Sequence, residues 1–153
     1  MNSLLEVKKR LHLECASIVD KKIDRARNGM KAAQEAANKE GKSSMGDKYE
    51  TSRAMMHLEK DKLAMQLVEV AKMKKAVDMM VLNKEYKKIE FGSLILTENA
   101  NYFLSVSIGL ITLDGVNYYA ISPATPVGKL ILGLKKGDNF TFNGNTVTIK
   151  NCI

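Results

Sequence analysis

Apolar residues in the first quarter of the chain fall at Leu4, Val7, Leu11, Cys15, Val19, Ile23, Ala26, Met30, Ala33 and Ala37, in steps of three and four. That spacing lines them along one side of an α-helix, and the stretch holds no proline and only Gly29 to weaken it. A break follows at Glu40-Gly41-Lys42-Ser43-Ser44-Met45-Gly46. A second helical stripe then runs through Met56, Leu63, Leu67, Val70, Val77 and Val81, with Ala54, Leu58, Met65 and Val68 expected to widen it. Two long helices joined by a short connection fold back antiparallel. Arms of about 34 residues predict a hairpin roughly 50 Å long with its tip near residues 40–50. Ala32, Ala33, Ala36, Ala37, Met55 and Met56 let the arms approach closely near the turn, and the nine methionines are expected to fill gaps in a narrow seam.

Near residue 90 the period shortens from helical to alternating. Ser93–Thr97 and Tyr102–Val106 read as strands about a turn at Glu98-Asn99-Ala100-Asn101. Leu110–Leu113 and Val116–Ile121 flank Asp114-Gly115, a two-residue hairpin signal. Thr125 to Gly133 reads as a short helix, capped by Thr125, started by Pro126 and ended by Gly133. Asn139–Phe142 and Thr146–Lys150, joined through Asn143-Gly144-Asn145, form a last hairpin. The expected class is α+β: a helical hairpin over residues 1–88, then a small antiparallel-rich sheet domain with one helix over residues 89–153.

Charge sharpens this division. The net charge is +7, and residues 1–90 hold 20 Lys/Arg against 14 Asp/Glu, whereas residues 91–153 hold 4 against 3. The basic excess belongs to the helices and suits an anionic partner, or simply a solvated helix face. No long apolar run and no cleavable leader are visible, so no membrane association and a cytoplasmic location are expected. Cys15 and Cys152 read as free thiols, and no Cys/His cluster has zinc spacing. His12 and His57 lack partners at ligand spacing and read as surface or seam residues. Tyr102, Phe103, Tyr118 and Tyr119 are a conceivable pocket set, but core and cross-strand packing accounts for them more simply.

The chemistry most worth weighing lies at the hairpin tip, in Gly46-Asp47-Lys48-Tyr49-Glu50. Asp47 and Glu50 sit three apart, so on a first helical turn they share a face. That spacing is a variant of the capping box, and both charges favour the positive end of a helix. Two carboxylates are too few to build a Mg²⁺ site, yet they suffice to join one held by another protein's carboxylates.

Taken together, the long hairpin, Gly-Asp-x-x-Glu at its tip, Phe91-Gly92 before the first strand, and Ser122 followed by the stretch from Thr125-Pro126-Val127-Gly128 to Gly137-Asp138 resemble the bacterial Gre-type transcript-cleavage factors. The resemblance implies a coiled-coil domain followed by an FKBP-like domain. It implies a transcription elongation factor that enters the secondary channel of RNA polymerase and stimulates the polymerase's own cleavage of backtracked RNA, without being an enzyme itself. Asp47 and Glu50 would assist catalysis by sharing a polymerase-held Mg²⁺, with no cofactor bound stably by the chain alone. Lys48, Tyr49 and Arg53 would contact RNA or polymerase, and Ser122, Thr125, Pro126, Val127 and Gly128 would dock on it. The implied partners are RNA polymerase and its nascent RNA, and a monomer is expected. After Glu50 the family continues with an Asn-Ala-Glu-Tyr-like segment, where this chain has Thr51-Ser52-Arg53-Ala54. That difference keeps a second reading open, a channel binder that inhibits or modulates polymerase without stimulating cleavage. A non-enzymatic basic coiled-coil adaptor is a third.

Overall fold

Helix α1 spans Leu4–Glu40 and helix α2 spans Gly46–Asp78. The computed structural model describes residues 3–40 and 46–153, with side chains described for 3–39 and 50–153; of the expected break from Glu40 to Gly46, the two end residues belong to the helices and residues 41–45 lie outside the described residues. The packing divides the chain into two compact units, Val19–Lys74 and a second made of Met1–Ile18 with Lys75–Ile153. The change of pattern near residue 90 falls in the stretch between the end of α2 at Asp78 and the first strand at Leu94, while the start of α1 and the end of α2 pack with the sheet.

Within the helical unit the two helices run antiparallel. Lys74 pairs with Asp20 at 3.4 Å, a Cβ added to Gly29 would lie 3.3 Å from Leu63, and Lys60 donates to Gln34 at 2.7 Å. Every α1 position expected on the apolar side is buried or half-buried, from Leu4 to Ala37. On α2 the seam comprises Met56, Leu63, Leu67 and Val70, all half-buried. The expected widening by Ala54, Leu58, Met65 and Val68 does not occur, because all four are exposed. At 100° per residue Leu58, Met65 and Val68 project away from the seam, and a two-helix unit covers only one side of each helix. The methionine expectation divides the same way: Met30, Met56 and Met73 are half-buried, whereas Met55, Met65 and Met79 are exposed. Val81 is also exposed, since α2 stops at Asp78 and the helical phase is lost; Val77 and Met80 are the buried residues there.

In the sheet-bearing unit six strands, β1 Leu94–Thr97, β2 Asn101–Leu104, β3 Gly109–Leu113, β4 Val116–Ile121, β5 Asn139–Phe142 and β6 Asn145–Cys152, lie in the order β3-β4-β2-β1-β6-β5. All pairings are antiparallel except β2 with β4. The Asp114-Gly115 turn closes in two residues as expected, with φ of 51° and 79°, whereas the last hairpin is tighter than the expected Asn143-Gly144-Asn145 connection: Asn145 pairs with Phe142 and the turn is Asn143-Gly144, with φ of 52° and 79°. Positive φ at both positions gives the turn a twist that matches the strands, which is why Asp/Asn-Gly is favoured. β2 ends at Leu104 rather than the expected Val106.

Register explains the two faces. Ile111 pairs with Tyr118, Ala120 with Phe103 and Phe103 with Leu94, so these five buried residues share one side. Ser105 continues that side and meets the buried Cys15 of α1, Sγ to Oγ 3.9 Å. The opposite side holds Ile95, Leu104, Val147, Phe140 and Ile149, packed with Ile89 and with Ile131 of helix α3, Pro126–Ile131. Tyr102 and Tyr119 also lie on this side, ring centroids 6.2 Å apart, while Phe103 and Tyr118 are buried on the other. The four aromatics therefore divide between the two faces as core and cross-strand packing.

Candidate functional surfaces

α2 starts at Gly46, so Asp47 lies inside its first turn rather than at the N-cap that the capping-box spacing expects, and Glu50 opens the next turn. Glu50 is exposed, as is Arg53 one turn on. The side chains of Asp47, Lys48 and Tyr49 lie outside the described residues. The start of a helix concentrates unpaired N–H groups and the positive end of the dipole, which favours carboxylates there. Among the described residues no group of three or more His, Cys, Asp or Glu could hold a metal ion.

The second expected surface, around α3, is built by one small set of contacts. Thr125 Oγ1 donates to Ser122 O at 2.7 Å and accepts from the Gly128 N–H at 3.1 Å, capping the helix. Gly128 is buried, and a Cβ there would overlap Ser122 O and come within 2.9 Å of Thr125 Oγ1. Thr125 and Gly128 thus hold the turn together from inside, and Val127 packs against the core. Pro126 is exposed, and so are Leu130 at 43% and Leu132 at 50%. Of the five residues expected to dock, Ser122, Thr125 and Gly128 position the loop, and the apolar surface offered to solvent comes from Pro126 with Leu130 and Leu132. Sequence reading passed over those two leucines because they look like ordinary positions of an amphipathic helix.

Lys8 is the other feature the sequence did not disclose. Although it reads as one charge among many at the start of α1, its residue is fully buried. Its Nζ donates to Lys84 O at 3.1 Å and Ile153 O at 3.0 Å and stands 4.6 Å from the centroid of the Tyr86 ring. Burial pushes its pKa down from 10.5 to about 8, opposed by the charges of Glu85 and Cys152. Beside it a cavity of about 600 Å³ is lined by Tyr86, Lys87, Lys135, Lys136, Asn151 and Cys152, among others. The backbones of Lys88 and Lys135 are bridged, which brings the two lysine-rich segments together.

Other titratable groups have structural roles. Arg10 binds both oxygens of Asp114, at 2.5 and 3.4 Å, and this holds the Asp114 carboxyl below its ordinary range. Burial pushes the Cys15 thiol up to about 11, against the hydrogen bond to Ser105. Both cysteines are free. His12 Nε2 lies 2.9 Å from Val77 O in the seam, and His57 is exposed. Among the described residues no helix is long and apolar enough to cross a membrane.

Comparison with protein families, with characterised proteins and with solved structures finds no match to this chain.

Proposed function

We propose that this chain is a Gre-type elongation factor, which acts in the cytoplasm on RNA polymerase and promotes the polymerase's own cleavage of backtracked RNA. The observation that carries the reading is the start of α2 at Gly46, which puts Asp47 and Glu50 into one helical turn at the end of an antiparallel helix pair. Support also comes from the six-stranded sheet with α3 on one side, an arrangement consistent with an FKBP-like domain. The exposed Pro126, Leu130 and Leu132 give that domain an apolar surface with which to dock.

Asp47 and Glu50 fit a shared Mg²⁺ by chemistry, since carboxylate oxygens are its preferred ligands and Glu50 is open to solvent. Two carboxylates fall short of a full shell, so the ion belongs mainly to the polymerase. Such an ion supplies charge neutralisation and water activation at the phosphodiester. The role of this chain is then to deliver two acceptor oxygens on a rigid helix start. Lys48 and Tyr49 stand between them in sequence, as candidates for RNA or polymerase contact.

The exposed Arg53 favours a second reading, in which the hairpin enters the channel and modulates polymerase without promoting cleavage. A cleavage assay on stalled elongation complexes separates the two. Stimulation by the wild-type chain, lost in Asp47→Asn and Glu50→Gln, is the expected result. Binding without stimulation would replace cleavage by inhibition, and full activity in both variants would remove the carboxylates from the mechanism. Binding to naked RNA that equals binding to the elongation complex would favour the adaptor reading.

A further inference from the structure

On the side of α2 turned away from its seam, Leu58, Met65 and Val68 are exposed by 68%, 72% and 55%. They extend along about 15 Å of helix. A groove of about 800 Å³ adjoins them, its walls including Lys22, Arg25, Lys62 and Glu69. Scattered single apolar residues are ordinary on a protein surface, but three large ones along one helix side, beside such a groove, mark a contact surface. α2 is therefore apolar on two opposite sides, one more than the helix pair can cover.

The charges along this row select the occupant. Leu58, Met65 and Lys72 follow one another at intervals of seven, with Asp61 and Val68 three residues after Leu58 and Met65, the spacing of a coiled-coil contact. A parallel second copy would place Asp61 against its own counterpart and Lys72 against its own. An antiparallel copy does the opposite: Met65 meets Val68 of the second copy, Asp61 meets its Lys72, and Lys62 on the flank reaches its Glu69. Each contact occurs twice about the two-fold axis, as an isologous interface requires. Asp61, Lys62, Glu69 and Lys72 are all exposed, and Glu69 and Lys72 already share a 3.1 Å pair within the chain, open to a further partner.

We infer that the outer side of α2 is a self-association surface on which a second copy of this chain packs antiparallel, α2 on α2. The interface draws only on the helical unit and goes beyond the elongation-factor reading, whose failure would not touch it. It replaces the expected monomer by a weak, concentration-dependent dimer.

Sedimentation equilibrium of the full chain, from low to high micromolar concentration, tests this. The expected result is a monomer–dimer equilibrium that Met65→Glu abolishes while helical circular dichroism is unchanged. Lys62→Glu and Glu69→Lys should each weaken association about tenfold, and the double variant should restore it, because the swapped charges again face each other. A wild-type monomer at every concentration would overturn the inference, as would a dimer indifferent to Met65→Glu. A double variant as weak as the single ones would overturn the antiparallel register.

Discussion

Replacing Lys8 by methionine removes a buried ammonium while keeping much of its length. The depression of the Lys8 pKa from 10.5 to about 8 means that the fold disfavours the charged form. The gap corresponds to about 3 kcal/mol of folding free energy. Below pH 8 the folded and unfolded chains both hold the proton, and the cost is constant. Between pH 8 and 10.5 the unfolded chain keeps a proton that the folded chain gives up, so wild-type stability rises with pH; above 10.5 the cost is gone. Methionine does not titrate, so the wild-type-minus-variant difference isolates this group from every other lysine and tyrosine. At neutral pH the variant sheds the buried charge but strips Lys84 O of its donor, at about 1–3 kcal/mol, while Ile153 O keeps the Leu94 N–H at 2.8 Å, so the two effects offset. The pH slope is accordingly the diagnostic quantity. Urea unfolding of both proteins at intervals from pH 7 to 11 should show the difference climbing by about 3 kcal/mol in favour of wild type. A difference that stays flat across that range would refute the reasoning, and one that falls would mean that the carbonyls and the Tyr86 ring outweigh burial.

Gly128→Ala should destabilise by about 2–4 kcal/mol, seen as a Tm lower by roughly 5–12 °C, because the methyl overlaps the backbone at Ser122 O rather than a side chain that can move. Thr125→Ala should cost about 1 kcal/mol by denaturant titration and Thr125→Ser only a fraction of that, since serine keeps the cap. Phe103→Ala, in the centre of the sheet and fully buried, should cost about 3–5 kcal/mol. Iodoacetamide at pH 8 should alkylate Cys152 and leave Cys15 unmodified by mass spectrometry, because Cys15 is buried and its thiol titrates near 11.

What could be read from residues alone were the features fixed by local geometry. The α1 stripe from Leu4 to Ala37 is legible because one side of a helix must meet a partner wherever that partner lies. Asp114-Gly115 and Asn143-Gly144 are legible because few residues accept two successive positive φ values. The burial of Lys8 is not, since it depends on Lys84, Tyr86 and Ile153, residues that share no local pattern with it. Nor is the fate of Leu58 and Met65: a helix with apolar residues on two sides has the same composition as one with a broad single stripe, and only the packing of α1 decides which side is covered. At the tip, the placement of Asp47 and Glu50 in one turn follows from sequence and structure alike. Their chemistry is written in neither.

The pairing of β1 with β6 sets the order in which the chain can acquire its structure during synthesis. β1 is made before the last third of the chain exists, yet one of its two neighbours is the final strand. Cys15, near the beginning, waits for Ser105 in the same way. The helical unit needs only residues 19–74 and can close early, while the sheet remains open at its middle until residue 152 has emerged. Through that interval β1 presents a free edge, open to strand pairing between neighbouring nascent chains.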